Sequence, residues 1–149
     1  EILDSEEIKQ ILKNGKYAVI SMCRGNEPYL VTLSYGYDAE QEVLYFHCSK
    51  RGLKIDFIKL NPIVCATVIE DGGYVANECG HHYRTAVFWG KMEIVQSTDE
   101  KRYGMKVILN HLEHDREIIR AKSEKSEGFY PTMEVLRLTI TQIHGKQGR

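Results

Sequence analysis

Three cations cluster where a short helix is predicted to begin. Lys50, Arg51 and Lys54 follow a predicted strand, and the helix they introduce stops at Asn61-Pro62, because a residue before proline avoids the helical region. The first turn of a helix carries unpaired N–H groups and a partial positive charge. Cations at that place add charge-assisted hydrogen bonds. The cluster therefore predicts a phosphate-binding site, and the alternative is an ordinary solvated loop.

A histidine ends the strand that leads into this cluster. His47 is of interest because histidine changes its charge near neutral pH, so it can serve as a hydrogen-bond partner or proton donor to a substrate. A histidine at a strand end can equally be a surface residue or a core residue with satisfied hydrogen bonds. The residues alone leave both interpretations open.

A second group of candidate ligands lies further along the chain. Cys79, His81 and His82 are closely spaced, and His111 and His114 have the spacing of one helix face. A zinc site built from them would lack a second cysteine pair or a carboxylate at a recognised spacing. We therefore expect no metal site, and interpret these residues as a polar loop and a helix surface.

Composition excludes several classes of protein. The formal net charge of the 149 residues is −1, whereas a nucleic-acid-binding protein usually shows a strong basic excess, so we expect no nucleic-acid partner. No apolar run approaches the ~20 residues that a membrane helix needs, and the acidic first residues do not resemble a signal peptide. The four cysteines show no paired spacing, which favours a reducing, cytoplasmic location. The length predicts a single domain over 1–149.

Hydrophobic patterning predicts a mainly β fold with flanking helices. A first helix is capped by Asp4 or Ser5, and a later one by Thr98 or Asp99. The predicted helix over 52–60 presents Leu53, Phe57 and Leu60 on one face. Predicted strands cover 17–23, 28–37, 43–48, 63–69, 83–95 and 135–143, with a polar connection over 70–80, a charged segment over 113–130 and a bulge or close approach at Gly90. The nearly all-apolar strand 63–69 should be central. Six antiparallel strands with helices outside predict a small barrel.

The order of several short motifs resembles that of a known family. Pro28-x-x-x-x-Leu33 is followed by Leu44-Tyr45-Phe46-His47-x-Ser49, then by Gly52-x-Lys54, Asn61-Pro62-x-Val64 and the run from Tyr83 to Glu93. Together they resemble the pyridoxamine 5'-phosphate oxidase-like proteins, the FMN-binding split barrels. Within that family the chain is most similar to the Nim-type nitroimidazole-resistance branch. The resemblance extends roughly from Ser5 to Lys146.

The resemblance implies FMN held at the interface of a homodimer. It places the flavin ring against the strand Tyr29, Leu30, Val31, Thr32 and Leu33, and the ribityl chain or phosphate near His47, Cys48 and Ser49. Lys54 stands at the position of the family's phosphate-binding lysine, with Lys50 or Arg51 substituting for the arginine that the oxidases carry where this chain has Leu53. Arg84 and Thr85 would approach from a neighbouring strand, across the dimer. Either Phe88 or Trp89, which alternate in that strand, is expected to pack in the core or the dimer interface.

The function implied by the resemblance is redox chemistry on a small molecule. We expect an FMN-dependent oxidoreductase that passes electrons from NAD(P)H to an organic acceptor such as a nitroimidazole, with His47 as the candidate catalytic residue. Pyridoxamine phosphate oxidation itself is not expected, because Thr85 replaces a glutamine and the C-terminal arginine and tryptophan of the oxidases are missing. A flavin- or haem-binding module without turnover is the alternative, and a deazaflavin could replace FMN.

Overall fold

A computed structural model describes residues 1–128 and 130–148. These residues fold into one seven-stranded antiparallel sheet with four α-helices. The helices are α1 (Ser5–Asn14), α2 (Leu53–Leu60), α3 (Thr98–Leu112) and α4 (Arg116–Ser126), with one 3-10 turn at Tyr130–Thr132. The strands are β1 (Tyr17–Arg24), β2 (Glu27–Ser34), β3 (Gly36–Asp38), β4 (Val43–Ser49), β5 (Ile63–Val75), β6 (Gly80–Ile94) and β7 (Met133–Gly148).

The sheet has seven strands rather than the six predicted, because the predicted strand 28–37 is broken. Tyr35 separates β2 from β3; its ring is fully buried, and its hydroxyl donates to the carbonyl of Leu12 at 2.6 Å. Strand order is β2-β1-β5-β6-β7-β4-β3. The two outermost strands are thus joined by a single residue, so the sheet must curve back on itself, which is consistent with a split barrel.

The curved sheet opens between β2 and the end of β4. Pairing of β3 with β4 stops at Gly36 opposite Tyr45, and continuing that register would bring Ser34 opposite His47. Among the described residues, however, β2 pairs only with β1, and His47–Ser49 pair only with β7. One backbone edge of each strand therefore faces this gap, which we call the opening.

Three strands are longer than the sequence predicts. Residues 70–75 and 80, predicted as part of a polar connection, and residues 81–82, which precede the predicted strand, continue β5 and β6 as a hairpin around a turn at 76–79. The predicted strand 135–143 extends to Met133–Gly148, and it lies between β6 and β4 in the sheet. The central position of β5 is confirmed. The bulge at Gly90 is also confirmed, because the register with β7 shifts between Trp89 and Gly90.

Two apolar clusters hold the elements together. The larger fills the inside of the curved sheet under α1 and α2, and the smaller lies between α3 and the outer side of β4 and β7. The predicted apolar face of α2 is only partly right: Phe57 is buried, but Leu53 and Leu60 are exposed, and Ile55 and Ile58 are buried instead. Ser97, rather than Thr98 or Asp99, caps α3, and Asp4 caps α1 as predicted.

The outer face of the sheet carries exposed apolar side chains. Cross-strand pairing aligns Leu30, Ser21, Cys65 and Trp89 in one row, and residues opposite each other point to the same face. Exposed members of this face include Tyr17, Leu30, Ile63, Ile69 and Trp89. We call this surface the open face. Among the described residues, no helix is long and apolar enough to cross a membrane.

Candidate functional site

The side chains of β2 divide between the core and the open face. Tyr29, Val31 and Leu33 pack against the core, and the ring of Tyr29 lies 5.1 Å from that of Phe57. Leu30 and Thr32 point outward and are exposed. The predicted ring-binding segment can therefore offer its backbone edge and two side chains to a ligand in the opening. The other three predicted side chains, those of Tyr29, Val31 and Leu33, anchor the strand to the core.

The end of β4 forms the other side of the opening. His47 is exposed and its side chain has no hydrogen-bond partner within the described part of the chain, yet partial desolvation by its surroundings lowers its pKa. Cys48 packs against the core, and burial raises the pKa of its thiol, an effect that the nearby charge of Lys54 partly offsets. Ser49 donates its hydroxyl to the carbonyl of Arg51 at 2.9 Å, which fixes the turn into α2.

The turn from β4 into α2 has the properties of an anion site. Within residues 1–128 and 130–148, no acidic side chain forms an ion pair with Lys50, Arg51 or Lys54, and Lys50 and Arg51 are exposed. Gly52 stands at the N-cap with φ 148°, a conformation that favours glycine, and no side chain caps the helix. The first N–H groups of α2 are thus left for another acceptor, and a phosphate fits this donor set.

Comparison with known proteins places the chain in a family. The family model described as pyridoxamine 5'-phosphate oxidase matches residues 4–147. The chain belongs to this pyridoxamine 5'-phosphate oxidase-like family. The predicted family resemblance is therefore confirmed. No curated protein matches the chain.

Solved structures of this family's fold superpose on nearly the whole chain. One is a candidate 5-nitroimidazole antibiotic resistance protein from Bacteroides thetaiotaomicron, with a TM-score of 0.79 and 23% identity over 99% of this chain and 86% of that one. Another is a FAD-binding protein from Mesorhizobium loti, with a TM-score of 0.72 and 20% identity over 99% and 95%. A FAD- and haem-binding protein from Mycobacterium smegmatis has a TM-score of 0.75 and 16% identity over 99% and 73%. At these identities the likeness shows a shared fold.

Two predicted site residues of this pyridoxamine 5'-phosphate oxidase-like chain lie away from the opening. Arg84 and Thr85 belong to β6, which is separated from β2 by β5 and β1. The guanidinium of Arg84 lies 3.1 Å from a carboxylate oxygen of Glu7 and 2.9 Å from one of Glu70, and this arginine lowers the pKa of Glu70. Within one protomer neither residue reaches the opening. Thr85 faces outward, so its contact with a ligand would need a second protomer.

Two of the histidines weighed as possible metal ligands, His81 and His111, have other partners. His81 Nε2 lies 2.6 Å from Asp71 Oδ1 across the β5–β6 hairpin. In the described ranges, no group of three or more His, Cys, Asp or Glu side chains is arranged to hold a metal ion. His111 accepts from the backbone N–H of Tyr37 through Nδ1 at 3.3 Å, so its Nε2 carries the proton that it donates to the carbonyl of Gly15 at 2.6 Å.

Sequence reasoning missed some of these placements. It treated the five β2 residues as one set, although the two-residue alternation of a strand separates them into two faces. It also assigned His111 to a helix surface, whereas this ring joins α3 to the residues before β1. No local pattern marks that contact, because it joins residues 96 positions apart.

Proposed function

We propose that this protein is a flavin-dependent oxidoreductase that binds FMN in the opening between β2 and β4. The observation that carries the proposal is the trio Lys50, Arg51 and Lys54, which form no ion pair with any acidic side chain that the structure describes. They lie at the start of α2, which no side chain caps, where the opening ends. A dianionic phosphate placed there would gain the helix N–H groups and charge-assisted hydrogen bonds. Among the three cations, Lys54 is the proposed principal anchor.

The rest of the opening suits a flat, largely apolar ring. Within the described ranges, one backbone edge of β2 and one edge of His47–Ser49 have no strand partner and can offer donors and acceptors. Leu30 and Thr32 add contact surface. Ligand sites commonly combine apolar walls with a few fixed polar groups. Bound flavin would supply the electron transfer between NAD(P)H and the acceptor, and the protein's part is to bind, orient and protonate. His47, exposed beside the opening, is the proposed proton donor through its imidazole nitrogen.

Relatives support the class of cofactor and acceptor. The Bacteroides thetaiotaomicron protein is a candidate for 5-nitroimidazole resistance, and this favours a nitroaromatic acceptor here. The Mesorhizobium loti and Mycobacterium smegmatis proteins bind FAD, which supports a flavin and leaves the choice between FMN and FAD to experiment. We also propose that the working unit is a homodimer, with Thr85 of one protomer near the flavin of the other.

The cofactor can be tested directly. Purified protein should show a flavin absorption spectrum, and denaturation followed by mass analysis should release FMN. Anaerobic NADPH or NADH should bleach the flavin band, and a nitroimidazole should restore it. A haem spectrum, or a flavin that neither donor reduces, would favour the alternative of a binding module without turnover. A colourless protein that fails to bind added flavin would overturn the proposal.

A further inference from the structure

A second basic groove lies beside the proposed phosphate site. It has a volume of about 330 Å³ and is lined by Lys50, Thr98, Lys101, Arg102, Glu127, Tyr130 and Pro131. It is bounded by the β4–α2 turn, the first turns of α3 and the 3-10 turn before β7. Lys50 is shared with the cation trio, so the groove begins where the flavin phosphate is proposed to end.

The charge and geometry of the groove suit an extended anion. Three of its lining side chains are cationic and one is a carboxylate. Lys101 and Arg102 also pair with Glu134 and Asp99, whereas no acidic side chain in the described ranges forms an ion pair with Lys50. Arg102 donates from Nε to both carboxylate oxygens of Glu127, at 2.8 and 3.0 Å, and from Nη1 to Asp99 at 3.4 Å. Its Nη2 forms no hydrogen bond with the part of the chain that the structure describes. That nitrogen can donate to a phosphate oxygen without breaking either ion pair.

An aromatic ring gives the groove a second kind of surface. The guanidinium carbon of Arg102 lies 6.0 Å from the ring centre of Tyr130, and the tyrosine is buried beneath it. A guanidinium held over an aromatic ring offers a flat, weakly hydrated surface on which a planar base can stack. The volume is at the lower end of the range for small-molecule sites. Cations, stacking surface and size together fit a nucleoside phosphate better than a simple ion.

We propose that this groove binds an adenosine monophosphate moiety next to the flavin phosphate. This inference rests on the proposed function, because the moiety would belong to a cofactor or substrate of that function. It is either the adenylate half of FAD or the adenosine phosphate of a dinucleotide electron donor. Lys50 would lie between the flavin phosphate and the second phosphate, and Arg102 would hold the latter. The groove would then decide which flavin or which donor the protein selects.

The test is calorimetric titration of the flavin-free and FMN-loaded protein with ADP. We expect wild type to bind ADP in at least one form, and Arg102→Gln to weaken that binding by about tenfold or more, as expected for the loss of a charged donor. Glu127→Gln should strengthen it, because the repelling carboxylate is removed. Both variants break the same ion pair, so a purely structural effect would move both affinities in the same direction. Lys106→Gln, on the same helix but outside the groove, should change nothing.

Two further titrations identify the source. If the moiety belongs to FAD, FAD should bind the flavin-free protein more tightly than FMN, displace ADP, and lose its advantage in Arg102→Gln. If it belongs to the electron donor, ADP should bind FMN-loaded protein and NADPH or NADH should displace it. Absence of ADP binding to both forms would overturn the proposal that the groove binds an adenosine phosphate. A change of affinity in the same direction in both variants would overturn it as well. Failure to bind FMN with ADP binding intact would instead overturn the proposed function.

Discussion

At the scale of single residues, Lys54 is the sharpest test of the phosphate site. Lys54→Ala should weaken FMN binding by about 1.5–3 kcal/mol, the range of a hydrogen bond to a charged group. Lys59→Ala is the matched control, since Lys59 belongs to the last turn of α2, away from the cations at its start. The measurement is FMN fluorescence quenching on titration with each protein. Equal affinity of both variants and wild type would remove Lys54 from the site.

His47 should matter for turnover more than for cofactor binding. If its imidazole donates a proton to the acceptor, His47→Gln should lower kcat for a nitro compound by about 10²-fold or more, the usual contribution of general acid catalysis. FMN affinity should change less than it does in Lys54→Ala. Stopped-flow reoxidation of the reduced protein separates the two effects. An unchanged reoxidation rate would leave His47 with a binding role only.

Two histidines should make the fold sensitive to acid. Partial desolvation lowers the pKa of the exposed His47, and burial lowers the pKa of His111. Each therefore binds a proton more weakly in the folded than in the unfolded chain, where the pKa is about 6.5. Above about pH 6.5 both histidines are neutral, which is the form that the fold favours. As the pH falls below about 6.5, the unfolded chain binds more protons than the folded chain, and the folded state loses stability. The urea midpoint should therefore be lower at pH 5.5 than at pH 7.5. His111→Gln should reduce this difference, and an undiminished difference would assign the effect to other groups.

At the scale of elements, the contact of α3 with β3 depends on a glycine. A Cβ added at Gly36 would lie 2.5 Å from the backbone N and Cα of Ile108, and backbone cannot move aside as a flexible side chain can. Gly36→Ala should destabilise the protein by about 1–3 kcal/mol, the usual cost of overpacking. Gly128→Ala is the control, because the nearest described contact of its added carbon, the carbonyl oxygen of Lys125, lies 3.8 Å away. Urea denaturation of both variants provides the measurement, and equal midpoints would contradict the close approach.

Elements were predictable where the hydrophobic periodicity and the proline and glycine residues indicated the same structure. The helix before Asn61-Pro62 and the bulge at Gly90 follow from local chemistry, and both are confirmed. The break at Tyr35 was not predictable, because an inward tyrosine fits the alternation of an uninterrupted strand, and only its bond to Leu12 shows why the chain turns there. The hairpin beyond residue 70 was mistaken for a connection because its residues are polar on both faces. The cation trio was visible in the sequence, whereas Arg102 and Tyr130 meet only through the packing of α3 against the 3-10 turn.

At the scale of the whole molecule, the open face predicts self-association. Ile69 is 51% exposed there and pairs across the sheet with Thr85. We expect sedimentation to show a dimer, and Ile69→Glu to produce monomer with reduced flavin content, because a charge buried without a partner opposes association. Leu3→Glu, at an exposed site before α1, should remain dimeric. A monomeric wild type that retains its flavin would contradict the shared site.

The position of β7 has a consequence for how the protein is made. Among the described elements this strand comes last in the chain, yet it lies inside the sheet between β6 and β4. Until residues 133–148 have left the ribosome, β3 and β4 have no strand that ties them to the other half of the sheet. A nascent chain can thus pair β1, β2, β5 and β6 early, whereas β4, which carries His47, cannot join them until β7 has been synthesised. The proposed flavin site should consequently form only after residues 133–148 have been synthesised.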